Sequence, residues 1–595
     1  MSSMSEKSPV VVNMTDSPPL GDPEKAYTYE VELLRDVYED EDTGMDPIYH
    51  AKARILNSAF QEIGMGRYQV RLLPNFVLAS TQLVRSEDIL PANAPQCPAH
   101  GTVKQIVLIT FSTCSGSFSS LPVLDGSGAF SLRMLQNVTV TTDFSPSDNL
   151  WPVATTLILT PTVAEFGYNG PYIKLAWALG TLVGAAFWGF ASDIFGRKWA
   201  FNITLFMTGI FATAAGGSPN EIALLSMVAV WSVGTGGNLP VDSAVFLEFI
   251  PASHQYLLTI LSIWWALGQL VGALVAWPLI ANFSCAGTTP ETCPKSENMG
   301  WRYFMYSVGG LMLLLSFVRF FVFHLYESPR YLMSRGDDKT AVEIIHEIAK
   351  YNKTTSRLTL EMLTNAGQKP GVEDLDVSAK AIVARKMKQV NLNHVKPLFA
   401  TRKLALSTSL LIIIWGLIGL AFPLYNGFVT IFFNQRGADF GDGSVYTTYR
   451  NLVILSVIGV PGAILAGWMV EIPRLGRNGT LAISTILTGV FLFASTTART
   501  SNAFLGWNAG YTFTSNVMYG VLYAVSPELF LTKDRGTGNT LVALSNRIFG
   551  IAAPIIALES NLTTSVPIWI AAAFFLGAGF LAIFLPFEAR GHASL

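Results

Sequence analysis

Twelve apolar runs, in two sets of six around a charged stretch, constrain this chain more than any other feature. They fall at 150–166, 170–192, 199–217, 222–246, 257–281 and 303–326, then at 404–433, 446–470, 481–497, 503–525, 540–558 and 566–587. A helix crosses the hydrocarbon core with roughly 20 apolar residues. Inside that core every backbone polar group must be satisfied within the protein, which leaves helices as the structure for such runs. Half of the 595 residues are hydrophobic and 13% are charged, against about a quarter in an ordinary soluble domain. The chain therefore reads as an integral, multi-pass, all-α membrane protein. A net charge of −2 supplies no basic field for nucleic acid, and four cysteines without a C-x-x-C pair suggest no metal site. No cofactor is expected.

The turn between the second and third runs is Gly189-Phe-Ala-Ser-Asp193-Ile-Phe-Gly196-Arg197-Lys198. Its glycines let two helices approach and the chain reverse, Asp193 can cap a helix or pair with Arg197, and Arg197 and Lys198 hold the turn on the cytoplasmic side. A looser copy, Gly467-Trp-Met-Val-Glu471-Ile-Pro-Arg474-Leu-Gly476-Arg477, stands in the second half. Glu327-Ser-Pro-Arg330 follows the sixth run, and Pro586-Phe-Glu588-Ala-Arg590 follows the twelfth. Any one of these could be a charged interfacial turn; four at matched positions indicate an internal repeat. The set closely resembles the signature loops of the major facilitator superfamily, in its fungal, sugar-porter-like and nicotinate-transporter-like or synaptic-vesicle-related branches. That resemblance implies twelve helices in two six-helix bundles that rock about a central site, with the first helix disrupted by an insert. It also implies a gate in which Glu248, at the end of the fourth run, and its counterparts Glu528 and Arg535 pair with the signature arginines. One departure is Pro251-Ala-Ser-His254-Gln, where the family carries basic residues after the acid.

Charge placement gives the topology. The segment 333–403 is rich in Lys and Arg, and basic loops stay in the cytoplasm; with an even number of crossings both termini join it there. The expected organisation is a disordered acidic cytoplasmic tail (1–47), an amphipathic lead-in (48–69), an atypical insert (70–146), a first bundle (147–332), a cytoplasmic linker (333–403), a second bundle (404–591) and a tail (592–595). The polar amino-terminal stretch does not read as a cleavable signal peptide. Cys285 and Cys293 share one outer loop and are a disulfide candidate, and Asn282 and Asn561 head glycosylation sequons. The insert, polar and proline-containing, stands where the family-like first half of the first helix would be. It is either a genuine insertion or a retained intron, and the second reading is the stronger. Native transcripts are then expected to encode a shorter chain with Gln69 close to Ser147; peptides from 70–146 in digests of the native membrane fraction would overturn this.

Ionisable groups within a bilayer are costly and are functional hypotheses by default. Asp148 and Asp242 are the proton-coupling candidates, with a helix cap as the plainer role for Asp148. Asn238, beside small residues and Pro240, is expected in a cavity wall, together with Gln269, Tyr425, Asn426, Asn516, Asn546 and Arg547. Pro423 to Asn426 is expected to break the seventh run, and a buried arginine such as Arg547 calls for an anion. The resulting expectation is a secondary active transporter, a proton-coupled symporter of a small organic acid or nicotinate-like anion. Sugar or polyol symport is the alternative, and a non-transporting nutrient sensor on the same fold is a further one. Partners are a small-molecule substrate, protons and the lipid bilayer, in a monomer, with no nucleic acid. The plasma membrane is the first location, a vacuolar or other internal membrane the second. An enzyme would need clustered His, Ser or acids at one face; the seven histidines are scattered.

Overall fold

A computed structural model describes residues 47–64, 66, 68–69, 146–249, 263–285, 289–321, 326–367, 395–441, 443–470, 472, 475–530, 535–560, 562 and 564–586. The insert lies outside the described residues. Residues 1–50 and 51–595 are separate compact units, and the first contributes only the start of one helix.

That helix is α1 (Pro47–Ile63). The first half continues with α2 (Pro146–Leu157), α3 (Leu159–Phe166), α4 (Pro171–Phe195), α5 (Arg197–Ala215), α6 (Glu221–Phe249), α7 (Ile263–Phe283) and α8 (Gly300–Phe321). Short linker helices follow, α9 (Pro329–Ser334), α10 (Asp338–Asn352) and α11 (Leu360–Gly367). The second half holds α12 (Arg402–Asn426), α13 (Val429–Asp439), α14 (Val445–Val470), α15 (Gly476–Ser495), α16 (Ser501–Glu528), α17 (Arg535–Glu559) and α18 (Val566–Ile583).

Within the described residues each apolar run is thus helical over most of its length, with two refinements. The first run is two short helices meeting at Ile158. In the seventh, Pro423 lies inside α12 instead of ending it, and the chain breaks later, at Gly427, whose N–H donates to the Pro423 carbonyl at 2.9 Å. A proline costs its own N–H and crowds the preceding turn, which kinks a well-packed helix without stopping it. Among the described residues six helices are both long and apolar enough to cross a membrane: those within α7, α12, α14, α15, α17 and α18. Others bury polar groups inside the protein, such as Lys174 on α4 and Arg302 on α8.

In the first half α4 packs on α6, α5 on α6 and α8, and α7 on α2; in the second α15 packs on α16 and α18, α12 on α17 and α18, and α14 on α16. The halves meet through α7 against α14 and α4 against α17. Helix pairs in a bilayer associate by close van der Waals packing through small residues, and α4 and α6 show this sharply. A Cβ at Gly184 would lie 2.2 Å from the Val233 carbonyl oxygen, and one at Gly236 would lie 2.4 Å from that of Thr181.

The end bearing Gly196 is called inner here, after the charge argument. At the outer end, Cys285 and Cys293 form a disulfide with a Cα separation of 5.4 Å. Asn282 is exposed next to it, with its amide donating to the Pro278 carbonyl at 2.8 Å; Asn561 lies outside the described residues. Nearby, Glu165 accepts from Arg302 at 2.7 Å, from the Trp301 indole at 2.9 Å and from Asn298 at 3.1 Å. Arg302 also donates to the Ser218 carbonyl at 3.1 Å and lies 4.1 Å from the Trp301 ring centroid. This buried ion pair ties α3, α8 and the turn after α5 together.

Candidate functional site

Between the halves lies a cavity of about 240 Å³. Pro152, Trp265 and Gln269 line it from the first half, and the second half supplies the rest: Phe422, Pro423 and Asn426 of α12, Ala463 of α14, Thr512, Ser515, Asn516, Tyr519, Gly520 and Tyr523 of α16, and Asn546 of α17. Aromatic rings make one wall. Trp265 meets Tyr523 at 4.3 Å between centroids, edge to face, across the two halves; Tyr523 meets Trp415 at 4.8 Å, and Phe422 meets Tyr519 at 4.9 Å. Such pairs are offset geometries that the ring quadrupole favours. The Trp415 indole donates to Ser526 at 2.7 Å, which fixes its ring.

The amides differ in how they are engaged. Asn426 donates to the Tyr511 hydroxyl and Asn516 donates to the Thr512 carbonyl at 2.9 Å. Gln269 and Asn546 have no hydrogen-bond partner among the described residues. Each therefore offers a donor and an acceptor to whatever fills the cavity.

Above the cavity, toward the outer end, hydrogen bonds join the two halves. Thr156 of α2 donates to the Asn426 carbonyl at 3.2 Å, Thr430 of α13 donates to the Thr156 carbonyl at 3.1 Å, and Tyr449 of α14 donates to the Leu157 carbonyl. Lys174 lies against these contacts. It is 8% exposed, and its ammonium donates to Thr156 at 2.6 Å, Thr155 at 2.7 Å and the Pro152 carbonyl at 3.2 Å. Sequence reasoning missed Lys174, although it is a lone cation one turn inside an apolar run. Its partners, hydroxyls on a different helix, carry no sequence signal.

Of the expected cavity residues, Gln269, Asn426, Asn516 and Asn546 come together around one space. Tyr425 does not join them: it is fully buried behind the wall, donating to Asn508 and lying 5.6 Å from Phe432, ring stacked on ring. On α12 it precedes Asn426, and successive residues of a helix point about 100° apart. Arg547 stands in the same relation to Asn546; it is half-buried, is not part of the lining, and is engaged with protein groups. The side chains of Asp148, Asp242 and Asn238 lie outside the described residues.

At the inner end the signature turn is held by Glu327. Its carboxylate accepts from the backbone N–H of Arg197 at 2.9 Å and of Lys198 at 3.4 Å, so a negative charge caps the N-terminus of α5. Gly196 takes φ 101°, and a Cβ there would lie 2.6 Å from Glu327 Oε2; the repeat glycine, Gly476, takes φ 60°. Both turns thus need a left-handed residue at the same place. Arg330 donates to Asn57 on α1, and α1 is tied to the linker by ion pairs of Lys52 with Asp338 and of Glu62 with Arg357 at 3.5 Å. Tyr68, just beyond α1, packs 5.6 Å from Phe249 at the end of α6, its phenol pushed well above the usual range by burial. Arg477 is half-buried at the start of α15. The side chains of Gly189, Asp193, Glu248, Glu528 and Arg535 lie outside the described residues, as do Glu471, Arg474, Glu588 and Arg590 altogether.

Two helical halves, contacts joining them at one end and a polar, aromatic cavity at their crossing define a membrane carrier of small solutes. The family profile of the Major Facilitator Superfamily matches residues 148–554. The chain is 50% identical over 552 residues, 93% of each chain, to the MFS siderochrome iron transporter 1 of Ceriporiopsis subvermispora. It is 29% identical over 414 residues, 68% of this chain and 81% of the other, to the niacin transporter NiaP of Acinetobacter baylyi. Among solved structures, the inward-open xylose transporter XylE from E. coli superposes with a TM-score of 0.53 at 16% identity, over 77% of this chain and 98% of that one; this likeness is one of fold. The chain belongs to the major facilitator superfamily. It is a secondary transporter in a membrane and not an enzyme.

Proposed function

We propose that the protein carries a compact organic anion, of the size of one aromatic ring bearing a carboxylate, by alternating access coupled to protons. The cavity carries this reading. At about 240 Å³ it falls below the roughly 300–1,000 Å³ of pockets for drug-sized ligands, its wall is aromatic, and two free amides and a buried ammonium stand in or beside it. The niacin carrier among its relatives agrees with that chemistry. A second reading, uptake of a ferric siderophore, is favoured by the 50% identical relative; it requires the halves to part far enough to enlarge the site several-fold.

Uptake of labelled nicotinate, xylose and a ferric siderophore by transporter-deleted yeast expressing the protein separates these readings. Saturable, pH-gradient-dependent nicotinate uptake is the expected result, and uptake of the siderophore alone would replace the proposal. Asp148 and Asp242 are the residues proposed to carry the proton. Asp148→Asn or Asp242→Asn is expected to abolish accumulation against a gradient while exchange of internal for external substrate continues, because exchange needs no net protonation change. Undiminished accumulation in both variants would remove coupling from these positions.

A further inference from the structure

A buried charge is normally neutralised by an opposite one, and the other deeply buried cation of the first half, Arg302, has Glu165 for this. Among the described residues Lys174 has no such partner: its three acceptors are a carbonyl and two hydroxyls, and it makes no ion pair with them. It is also close to the transport path: Pro152, whose carbonyl it holds, lines the cavity, and Thr156 links it to Asn426, which lines the cavity too. A Cβ on Gly427, the residue after Asn426, would lie 3.6 Å from the Lys174 Cε. The ammonium thus lies directly behind Pro152 and Asn426, two residues of the cavity wall.

We propose that Lys174 is the group that selects the substrate's anionic end. One member of the shell around it, Thr156, also makes a contact that joins the two halves at the outer end. When α2 and α12 part to open the site outward, the Thr156 to Asn426 contact is lost and the ammonium meets the cavity with no carboxylate of its own. An arriving carboxylate supplies the missing charge, while a neutral analogue of the same shape does not. Thr155, Thr156 and the Pro152 carbonyl, on α2 of the same half, hold the ammonium throughout; when the outer end closes again, α12 covers it and the anion is left to the amides below. Lys174 thus acts as a specificity-determining residue of the outward-facing state.

This inference rests on the organic-anion reading and is tested with a matched pair of probes, nicotinate and nicotinamide, in full-length protein. Competition of each against labelled nicotinate gives the carboxylate-to-amide preference of the parent, Lys174→Met, Lys174→Gln and Lys174→Arg. The expected result is a preference in the parent that falls at least tenfold in Lys174→Met and Lys174→Gln and is largely kept in Lys174→Arg. Surface labelling confirms that each variant reaches the membrane, and the Gln form keeps a hydrogen-bond donor if the Met form does not fold. An unchanged preference in the neutral variants would overturn the role of Lys174 and leave the anion reading standing. A parent that does not distinguish the two probes would overturn both.

Discussion

Arg302→Met is expected to destabilise the protein by about 3–5 kcal/mol, because it leaves Glu165 buried without its cation. Side-chain exposures of 2% for Arg302 and 6% for Glu165 leave little water to take over the lost charge. The indole of Trp301 and the amide of Asn298 would still donate to Glu165, but neither supplies positive charge. Replacing both partners, Glu165→Leu with Arg302→Leu, removes the charge together with its neutraliser and should recover most of the loss, as apolar replacements of buried pairs often do. Thermal unfolding of the purified protein in detergent, followed by intrinsic tryptophan fluorescence, provides the comparison. A single variant as stable as the parent would show that the pair is solvated in the working protein.

Gly184→Leu is the second large effect, and it acts through shape instead of charge. With 2.2 Å between its Cβ position and the Val233 carbonyl, and 2.8 Å to the Val233 Cα, any side chain must push α4 away from α6. Backbone is what it meets, so no rotamer relieves the clash, and the displaced helix pair would lose packing along its length. Little folded protein is expected to reach the membrane. Gly310→Ala is the control: nothing lies within 4 Å of its Cβ position, and a helical alanine in place of glycine gains about 0.5–1 kcal/mol. Gly184→Leu giving monodisperse protein at the parent's yield would refute the close approach of these two helices.

Much of the fold was legible because its signals are local. Apolar length marks a span, and the glycine of the signature turn marks a left-handed residue, which Gly196 and Gly476 both adopt. The seventh run was misplaced at its end because a proline within a helix and a proline ending one look alike in sequence; packing around Pro423 and the turn at Gly427 made the difference. Of the six cavity candidates whose side chains are described, four line the cavity and two do not. Gln269, Asn426, Asn516 and Asn546 are polar residues inside apolar runs and were found that way, whereas Tyr425 and Arg547 shared that property and are turned elsewhere by one step of helical rotation.

The sequence by itself determined the class of protein and its all-helical fold, since apolar length and the signature turn each depend on residues within one turn or one helix. Tertiary structure alone decided which intramembrane polar groups are neutralised and which remain available. Glu165 and Arg302 stand 137 positions apart, Thr156 meets Asn426 across 270, and Lys174 takes its hydroxyls from a neighbouring helix. Electrostatic compensation in a low-dielectric interior depends on distance in space, falling off as the inverse of separation, and a linear pattern does not encode that distance.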